Sequence, residues 1–259
     1  MFDTGDHRIQ VTVEGAIATI CIARAEKLNA LDFPMVQALE RAANLVDLEK
    51  QLRAVVITGE GDKSFCAGGD IAAWSALAAE DFAMQWVRHG HRAFDALARM
   101  RHPLIAALNG HCLGGGLELA VTADIRIAED HVKLGLPETG IGIIPGWSGT
   151  QRAVRRFGAQ AVRRMALAGT VFDANSALSL GLVDSVVAKG ESYTAALKLA
   201  AEIAQRSPSA TRLTKLMINM AEGEEREAGI EALGGYLAAG SADLATGLEA
   251  FRNKRKADF

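Results

Sequence analysis

Cysteine is scarce in this chain. The three thiols, Cys21, Cys66 and Cys112, are odd in number and lie about 45 residues apart, which fits neither a disulfide framework nor a close-spaced metal cluster. The six histidines also lack metal-ligand spacing. These absences predict buried or incidental thiols, histidines with surface or hydrogen-bonding roles, and no metal site.

The chain also lacks the segments that direct a protein to a membrane. Its N-terminus, MFDTGDHRIQVTVEG, has acidic residues where a signal peptide needs a basic patch and then an apolar block. No apolar run reaches the roughly 20 residues of a spanning helix. A charge excess is missing too, since 28 basic and 31 acidic side chains leave a net charge of −3. We therefore expect a soluble, cytoplasmic protein that binds neither membrane nor nucleic acid.

No internal repeat, low-complexity tract or long linker is visible, and 259 residues suffice for one large domain or for a domain with a smaller appendage. Alternating apolar and polar residues around Glu14-Gly15 predict a hairpin, and helical spacing follows from Phe33. The buried strand LRAVVITG, a helix over 81–100 and the buried strand PLIAALNG come next. This alternation favours the α/β class.

The pattern changes after Phe157, where helical segments separated by Gly, Ser or Pro follow one another. We therefore expect a core over 1–200 and a helical region over 201–259. Without a linker between them, the helical part is expected to dock on the α/β part.

Two glycine-rich turns carry the first functional signal. SFCAGGDI, residues 64–71, and GGGLELAV, residues 114–121, both place small residues before a helical start. Unpaired N–H groups at a helix start favour negative charge, so one N–H from each turn could form an oxyanion hole. Either could equally be an ordinary tight turn, which is common in α/β proteins. A third pattern, Gly59-x-Gly61-x-x-Ser64, predicts only a plain turn, because no helix opens directly after it.

Two glutamates lie close to these turns in sequence. Glu118 follows Gly115 by one helical turn within an apolar run, where a carboxylate must be paired or have its pKa shifted; the alternative is a partly exposed glutamate. Glu138 follows Pro137 in a loop rich in Gly and Pro. Two glutamates at one pocket could act as general acid and general base. A nucleophilic serine is not favoured, because GWSG at 146–149 lacks the Gly-x-Ser-x-Gly pattern.

Five ordered blocks resemble the enoyl-CoA hydratase/isomerase family, also called the crotonase superfamily. They are KLNALD (27–32), VVITGEGDKSFCAGGDI (55–71), IAALNGHCLGGGLELAVTADIRIA (105–128), LGLPETGIGIIPGWSGTQR (134–152) and GLEAFRNKRK (247–256). The resemblance implies an α/β fold with a crotonase-like spiral core of ββα turns and a C-terminal α-helical trimerisation region. The expected assembly is a homotrimer or a hexamer. The expected partner is an acyl-CoA thioester substrate, with no metal and no cofactor other than the coenzyme A of the substrate itself.

The resemblance also implies roles for individual residues. The oxyanion hole falls on the backbone N–H groups of Gly69 and Gly115. Glu118 would orient and deprotonate the attacking water, and Glu138 would deliver a proton to Cα. The residues expected to bind the substrate are Lys27, Leu28, Ala67, Asp70, Ile71 and Gly116, with Lys254 reaching phosphates across a subunit interface.

The sequence departs from the family's commonest pattern at two places. Trp147-Ser148 replaces Ala-Gly, and His111 replaces an apolar or aromatic residue. Trp147 is expected to reshape the acyl pocket, which leaves the acyl chain open. The glutamate pair favours syn hydration of a trans-2-enoyl-CoA to a 3-hydroxyacyl-CoA in fatty-acid or related catabolism. The alternatives are an isomerase or a dehydratase of a branched or functionalised acyl-CoA, and a non-catalytic acyl-CoA-binding scaffold.

Overall fold

Two β-sheets organise the first part of the chain, which a computed structural model describes over residues 2–259. The larger sheet has the strand order β1-β2-β3-β5-β7-β10, and the smaller has the order β4-β6-β8-β9. The strands are β1 Ile9–Glu14, β2 Ile17–Ile22, β3 Ala54–Gly59, β4 Ser64–Cys66, β5 Leu104–Leu108, β6 His111–Leu113, β7 Ile125–Glu129, β8 Lys133–Gly135, β9 Phe172–Asp173 and β10 Ser185–Val187.

Successive strands step between the two sheets. In each of the pairs β3–β4, β5–β6 and β7–β8, the first strand joins the larger sheet and the second joins the smaller. Neighbouring strands from successive pairs are parallel in both sheets. Each turn of the chain therefore adds one strand to each sheet, which is a spiral of strand pairs. The three-residue strands β4, β6 and β8 were not predicted from the sequence, because such short strands show no periodicity.

The predicted hairpin is confirmed. Strands β1 and β2 pair antiparallel from Ile9 opposite Ile22 to Glu14 opposite Ile17. Gly15 in the turn has φ of 59°, a left-handed conformation that glycine adopts without steric cost. The predicted strands at β3 and β5 are also present and are buried along their whole length.

The predicted helices are present with a local difference over 81–100, and several short helices are found in addition. The helices are α1 Phe33–Leu48, α2 Ile71–Trp74, α3 Ala79–Asp81, α4 Arg88–Arg99, α5 Gly115–Ala120, α6 Arg152–Phe157, α7 Ala159–Ala168, α8 Ala174–Ser179, α9 Ser192–Ala204, α10 Pro208–Ala221, α11 Arg226–Ala239 and α12 Ala242–Arg252. The single helix predicted over 81–100 is instead a π-helical segment, Phe82–Val87, that runs into α4. π-Helical turns are rare and have no distinct sequence pattern.

The larger sheet is covered on both faces. On β3, Val55 and Ile57 belong to the core that includes α1 and α4, whereas Ala54 and Val56 face a second core that includes α9. Residues buried alternately on two faces explain why this strand is apolar throughout rather than alternating with polar residues. The sheet therefore serves as the buried framework of the fold.

The chain divides into two units, 1–212 and 213–259. The second unit contains α11 and α12, which expose large apolar side chains, among them Ile230, Tyr236, Leu237 and Phe251. The division expected at residue 200 and the trimer or hexamer stay predictions. Within residues 2–259, no helix reaches the length and apolarity that a membrane span requires.

Candidate active site

The smaller sheet brings three distant loops together. Strands β4, β6 and β8 are parallel neighbours in it, so their carboxyl ends lie along one edge. Ligands of α/β proteins commonly bind at such an edge. The loops that begin there carry Gly69 after β4, Gly115 after β6 and Glu138 after β8.

These loops enclose a cavity of about 280 Å³. Several of the residues predicted to act on a substrate or to bind it line this one cavity, and they are Ala67, Gly69, Ile71, Gly115, Glu118 and Glu138. The structure therefore gathers both glycine-rich turns and both glutamates around one space, although the first and last of these residues are far apart in sequence.

The two glycine-rich turns touch each other. A side-chain carbon added at Gly68 would lie 3.0 Å from the backbone nitrogen of Gly115. Gly68 and Gly114 have φ of 98° and 54°, which non-glycine residues rarely adopt. Gly115 is the first residue of α5, where backbone N–H groups lack a partner within the helix. The geometry is compatible with two N–H groups at one oxygen, and the oxyanion roles of Gly69 and Gly115 stay predictions.

Gly116 has a different environment from its neighbour. A side-chain carbon there would overlap the carbonyl oxygen of Cys66, so only glycine lets α5 pack this closely on β4. Gly116 is not among the residues that line the cavity. The structure gives it a packing role, and its predicted contact with substrate stays a prediction.

Glu118 is buried in α5, with only 2% of its surface exposed, so the alternative of a partly exposed glutamate is wrong. Its Oε1 accepts hydrogen bonds from the backbone N–H groups of Trp147 and Gly149, both at 2.6 Å. Burial, together with the nearby charge of Glu138, raises the pKa of Glu118 to about 8, and the two N–H donors oppose that shift. The carboxyl is therefore fixed in orientation and titrates near neutral pH.

Glu138 begins the short 3₁₀ helix Glu138–Ile141. It is also buried, yet neither of its carboxyl oxygens has a hydrogen-bond partner within residues 2–259. A side-chain carbon added at Gly114 would lie 3.1 Å from its Oε1, so the carboxyl lies beside the second glycine-rich turn. Burial raises the pKa of Glu138 to about 7. Two buried glutamates at one cavity can share a proton and act as an acid and base pair.

The turn that holds Glu118 is itself fixed. Ser148, between the two N–H donors, has φ of 81°, and its hydroxyl is hydrogen-bonded to Nδ1 of His91 at 3.1 Å. The backbone N–H of Arg152 donates to the Ser148 carbonyl at 2.9 Å. Ser148 is buried and does not line the cavity. It therefore contributes to the turn rather than to the lining of the cavity.

Aromatic side chains form part of the remaining wall, and only Trp147 among them was predicted from the sequence to shape the acyl pocket. All three tryptophans of the chain, Trp74, Trp86 and Trp147, line the cavity. Trp86 lies in the π-helical segment, and its ring centroid is 5.0 Å from that of Trp147. Trp74 lies at the end of α2. The spacing of the three tryptophans in the sequence does not indicate that they line one pocket.

Other predicted substrate contacts lie near the cavity rather than in it. Lys27 and Leu28 are exposed, and the Leu28 carbonyl accepts from the Ala67 N–H at 3.1 Å. The Asp70 carboxylate caps α2 through the Ala72 N–H and pairs with Arg24 at 2.9 Å. Their roles toward coenzyme A stay predictions.

His111 and Lys254 are the two remaining predicted positions. The His111 Nδ1 accepts from the Lys133 N–H at 3.2 Å, and the residue is not part of the cavity lining. Lys254 follows α12 in the second unit, and its contact with phosphates stays a prediction. Residues 2–259 contain no group of three or more His, Cys, Asp or Glu side chains placed to hold a metal ion.

Comparison with known proteins adds an independent result. The enoyl-CoA hydratase/isomerase family matches residues 12–259. Crotonyl-CoA hydratase of Syntrophomonas wolfei is 37% identical over 248 residues, and the match covers 95% of both chains. Short-chain-enoyl-CoA hydratase of Clostridium acetobutylicum is 35% identical over 206 residues, which cover 80% of this chain and 78% of that one.

A solved structure agrees with these similarities. Enoyl-CoA hydratase from Bacillus anthracis superposes with a TM-score of 0.81 at 30% identity, covering 98% of this chain and 99% of that one. The predicted crotonase-like α/β fold is confirmed.

Proposed function

Because the chain belongs to the enoyl-CoA hydratase/isomerase family, we propose that it adds water reversibly to a trans-2-enoyl-CoA and forms a 3-hydroxyacyl-CoA. The observation that supports this most directly is the placement of Glu118 and Glu138 in one cavity with the turns of Gly69 and Gly115. Two relatives carry names of the same activity, crotonyl-CoA hydratase and short-chain-enoyl-CoA hydratase.

In this proposal the thioester oxygen binds between the N–H groups of Gly69 and Gly115. Negative charge develops on that oxygen when water attacks Cβ, and fixed N–H donors stabilise it without reorganisation. A donor of this kind is typically worth about 3 kcal/mol. Glycine at both positions fits the role, because a side-chain carbon at Gly115 would lie 2.8 Å from the Trp147 ring.

The two glutamates divide the proton transfers. Glu118 accepts a proton from water as the water oxygen bonds to Cβ, and Glu138 gives a proton to Cα. Both new bonds form on one face of the former double bond, so the addition is syn. No electrons are transferred to or from the substrate, so the reaction requires neither a redox cofactor nor a second substrate besides water.

For Glu138 to give a proton to Cα, the proton shared by the two glutamates must be on Glu138 when substrate is bound. Burial raises the pKa of both carboxyls to near or above neutral pH. Two short N–H bonds at Oε1 nevertheless favour the carboxylate of Glu118, and Glu138 has no such donor within residues 2–259. We therefore place the proton on Glu138 in the reacting complex, while the apparent pKa values belong to the pair.

The test is an assay of crotonyl-CoA and a panel of longer and branched trans-2-enoyl-CoAs. Loss of the enoyl absorbance with formation of the 3-hydroxyacyl-CoA supports the proposal. Conversion of 3-enoyl-CoA to 2-enoyl-CoA without hydration would indicate an isomerase instead. Tight binding of acyl-CoA without turnover of any member of the panel would indicate a scaffold.

A further inference from the structure

The indole of Trp147 lies directly beneath the two proposed oxyanion glycines. A side-chain carbon added at Gly115 would be 2.8 Å from its Cζ3. One added at Gly69 would be 3.5 Å from its Cη2, and also 2.7 Å from Cζ2 of Trp86 and 3.4 Å from Nε1 of Trp74. Only 3% of Trp147 is exposed, although it lines the cavity. The six-membered ring therefore covers the side of the cavity next to the position where the thioester carbon would bind.

This indole is held on every other side. A side-chain carbon at Gly90 of α4 would overlap its Nε1, Cδ1 and Cε2, so the helix forms a slot that only glycine leaves open. The indole N–H donates to the Trp86 carbonyl at 3.3 Å. The Phe94 ring packs edge-on against it with centroids 5.1 Å apart. Close packing of this kind resists displacement, so these neighbours set the position of the ring.

We infer that Trp147 sets an upper limit on the length of the acyl chain, so that the cavity accepts a butenoyl group and excludes a decenoyl group. The inference rests on the proposed function, because it requires the thioester at Gly69 and Gly115. The indole occupies volume beside these two glycines that would otherwise be open to the acyl chain. The backbone N–H of Trp147 also holds Glu118, so one residue fixes both the acid and the wall of the acyl pocket.

The experiment compares a short and a long acyl-CoA in wild type and in Trp147→Ala. Calorimetric binding uses the saturated butanoyl-CoA and decanoyl-CoA, which cannot be hydrated, and kinetics use the corresponding trans-2-enoyl-CoAs. The ratio of decanoyl to butanoyl affinity should rise by roughly 100-fold in Trp147→Ala, since pocket shape commonly discriminates by 10- to 200-fold per methylene-sized difference. Trp147→Phe opens less space and should raise the ratio by a smaller factor.

A matched control is Trp74→Ala, which removes the same side chain from the partly exposed part of the same cavity. Because Trp74 is only partly buried, whereas Trp147 is almost fully buried, removal of Trp74 should shift the ratio less than removal of Trp147. An unchanged ratio in Trp147→Ala and Trp147→Phe, or an equal change of ratio in Trp74→Ala, would overturn the inference.

A second pair of variants tests the slot at Gly90 independently. The added methyl of Gly90→Ala overlaps only atoms of Trp147 among its nearest neighbours, so the indole must move toward Gly69 and Gly115. Binding of butanoyl-CoA should weaken at least about 10-fold, by the same pocket discrimination. In the double variant Gly90→Ala/Trp147→Ala the methyl enters vacated space, and binding should match Trp147→Ala alone. Equal effects of Gly90→Ala in both backgrounds would contradict the inference.

The two proposals fail in different ways. If no enoyl-CoA is hydrated but the ratio of decanoyl-CoA to butanoyl-CoA affinity rises in Trp147→Ala, the proposed function is wrong and the role of Trp147 in chain length is supported. If hydration is observed and the ratio does not shift, only the role of Trp147 is wrong.

Discussion

Glu118 and Glu138 carry the same type of side chain and line the same cavity, but their backbone surroundings differ. Glu118 sits in a helix and its Oε1 accepts two backbone N–H groups at 2.6 Å. Glu138 begins a 3₁₀ helix, and its carboxyl oxygens have no partner in residues 2–259. Burial is the largest cause of the raised pKa at both residues.

This difference indicates how two carboxyl groups in one cavity can have different roles. A carboxyl fixed by backbone donors keeps a constant orientation, which suits the positioning of a water molecule. A carboxyl without donors is free to bond to whatever enters the cavity, which suits a group that passes its proton to a substrate carbon. Backbone surroundings, rather than residue type, distinguish the two.

The largest expected effect comes from removing each acid in turn. Glu118→Gln and Glu138→Gln should each lower kcat about 10²- to 10⁴-fold, because general acid–base catalysis contributes that much. Steady-state assays of crotonyl-CoA hydration measure it, with Glu202→Gln on the exposed surface of α9 as control. Full activity in Glu138→Gln would contradict the role of Glu138 as proton donor, and therefore also the different roles proposed for the two glutamates.

The next largest effect is expected from removing the backbone N–H of Gly115, the proposed oxyanion donor. Gly115 is the first residue of α5, a position where proline is tolerated because its N–H is not used by the helix. Gly115→Pro should lower kcat about 10²- to 10³-fold relative to Gly115→Ala. Both variants add Cβ, and proline in addition deletes the N–H and closes a ring through two more carbons. Equal activities of the two variants would exclude Gly115 as an oxyanion donor.

A smaller effect should appear in the pH dependence of stability. The pKa of Glu118 rises from 4.5 to about 8 on folding, so its protonated form stabilises the fold below about pH 4.5, and that contribution is lost as pH rises through 8. Between about pH 5 and 9 the free energy of unfolding should fall less in Glu118→Gln than in wild type, by a few kcal/mol, since each pKa unit corresponds to about 1.4 kcal/mol. Urea unfolding across this range measures it. The corresponding difference for Glu138→Gln should be smaller, because its pKa rises only to about 7.

The smallest expected effect comes from substitutions at Ser148, which lies between the two residues whose N–H groups bond to Glu118. Ser148 has φ of 81° and a hydrogen bond to His91. Ser148→Gly relieves about 1 kcal/mol of backbone strain and loses a hydrogen bond worth about 1 kcal/mol, so the free energy of unfolding should change by less than about 1 kcal/mol. Ser148→Val should destabilise by about 2 kcal/mol, because a β-branched residue is strained there. A large loss in Ser148→Gly would show that His91, not the backbone, holds the turn.

Much of the fold was predictable because its elements are long or have distinct end signals. Helix α1 is one example, with the Asp32 carboxylate accepting from the Met35 N–H at its start. The short strands β4, β6 and β8 were not predictable, since three residues carry no period. Their parallel pairing is what brings Gly69, Gly115 and Glu138 together. Residues alone could therefore suggest two turns and two acids, and the resemblance to known blocks was needed to join them.

The aromatic wall was the least predictable part of the site. Trp86 reaches the cavity from a π-helical segment, and Trp147 does so because Gly90 leaves its slot open. Both facts depend on contacts between segments far apart in sequence, which no local pattern records. Trp147 was noticed only as a departure from the family's commonest residue at that position.

The spiral of strand pairs has a consequence for the timing of folding during synthesis. Glu118 is made before Trp147 and Gly149, the two residues that supply its hydrogen bonds. At about 5–20 residues per second, the ribosome needs roughly two to six seconds to add the intervening segment. Until then the carboxylate has no backbone donors, and burying it would cost several kcal/mol. The hydrogen-bonded arrangement of Glu118 is therefore complete only after the segment that contains Trp147 and Gly149 has been made.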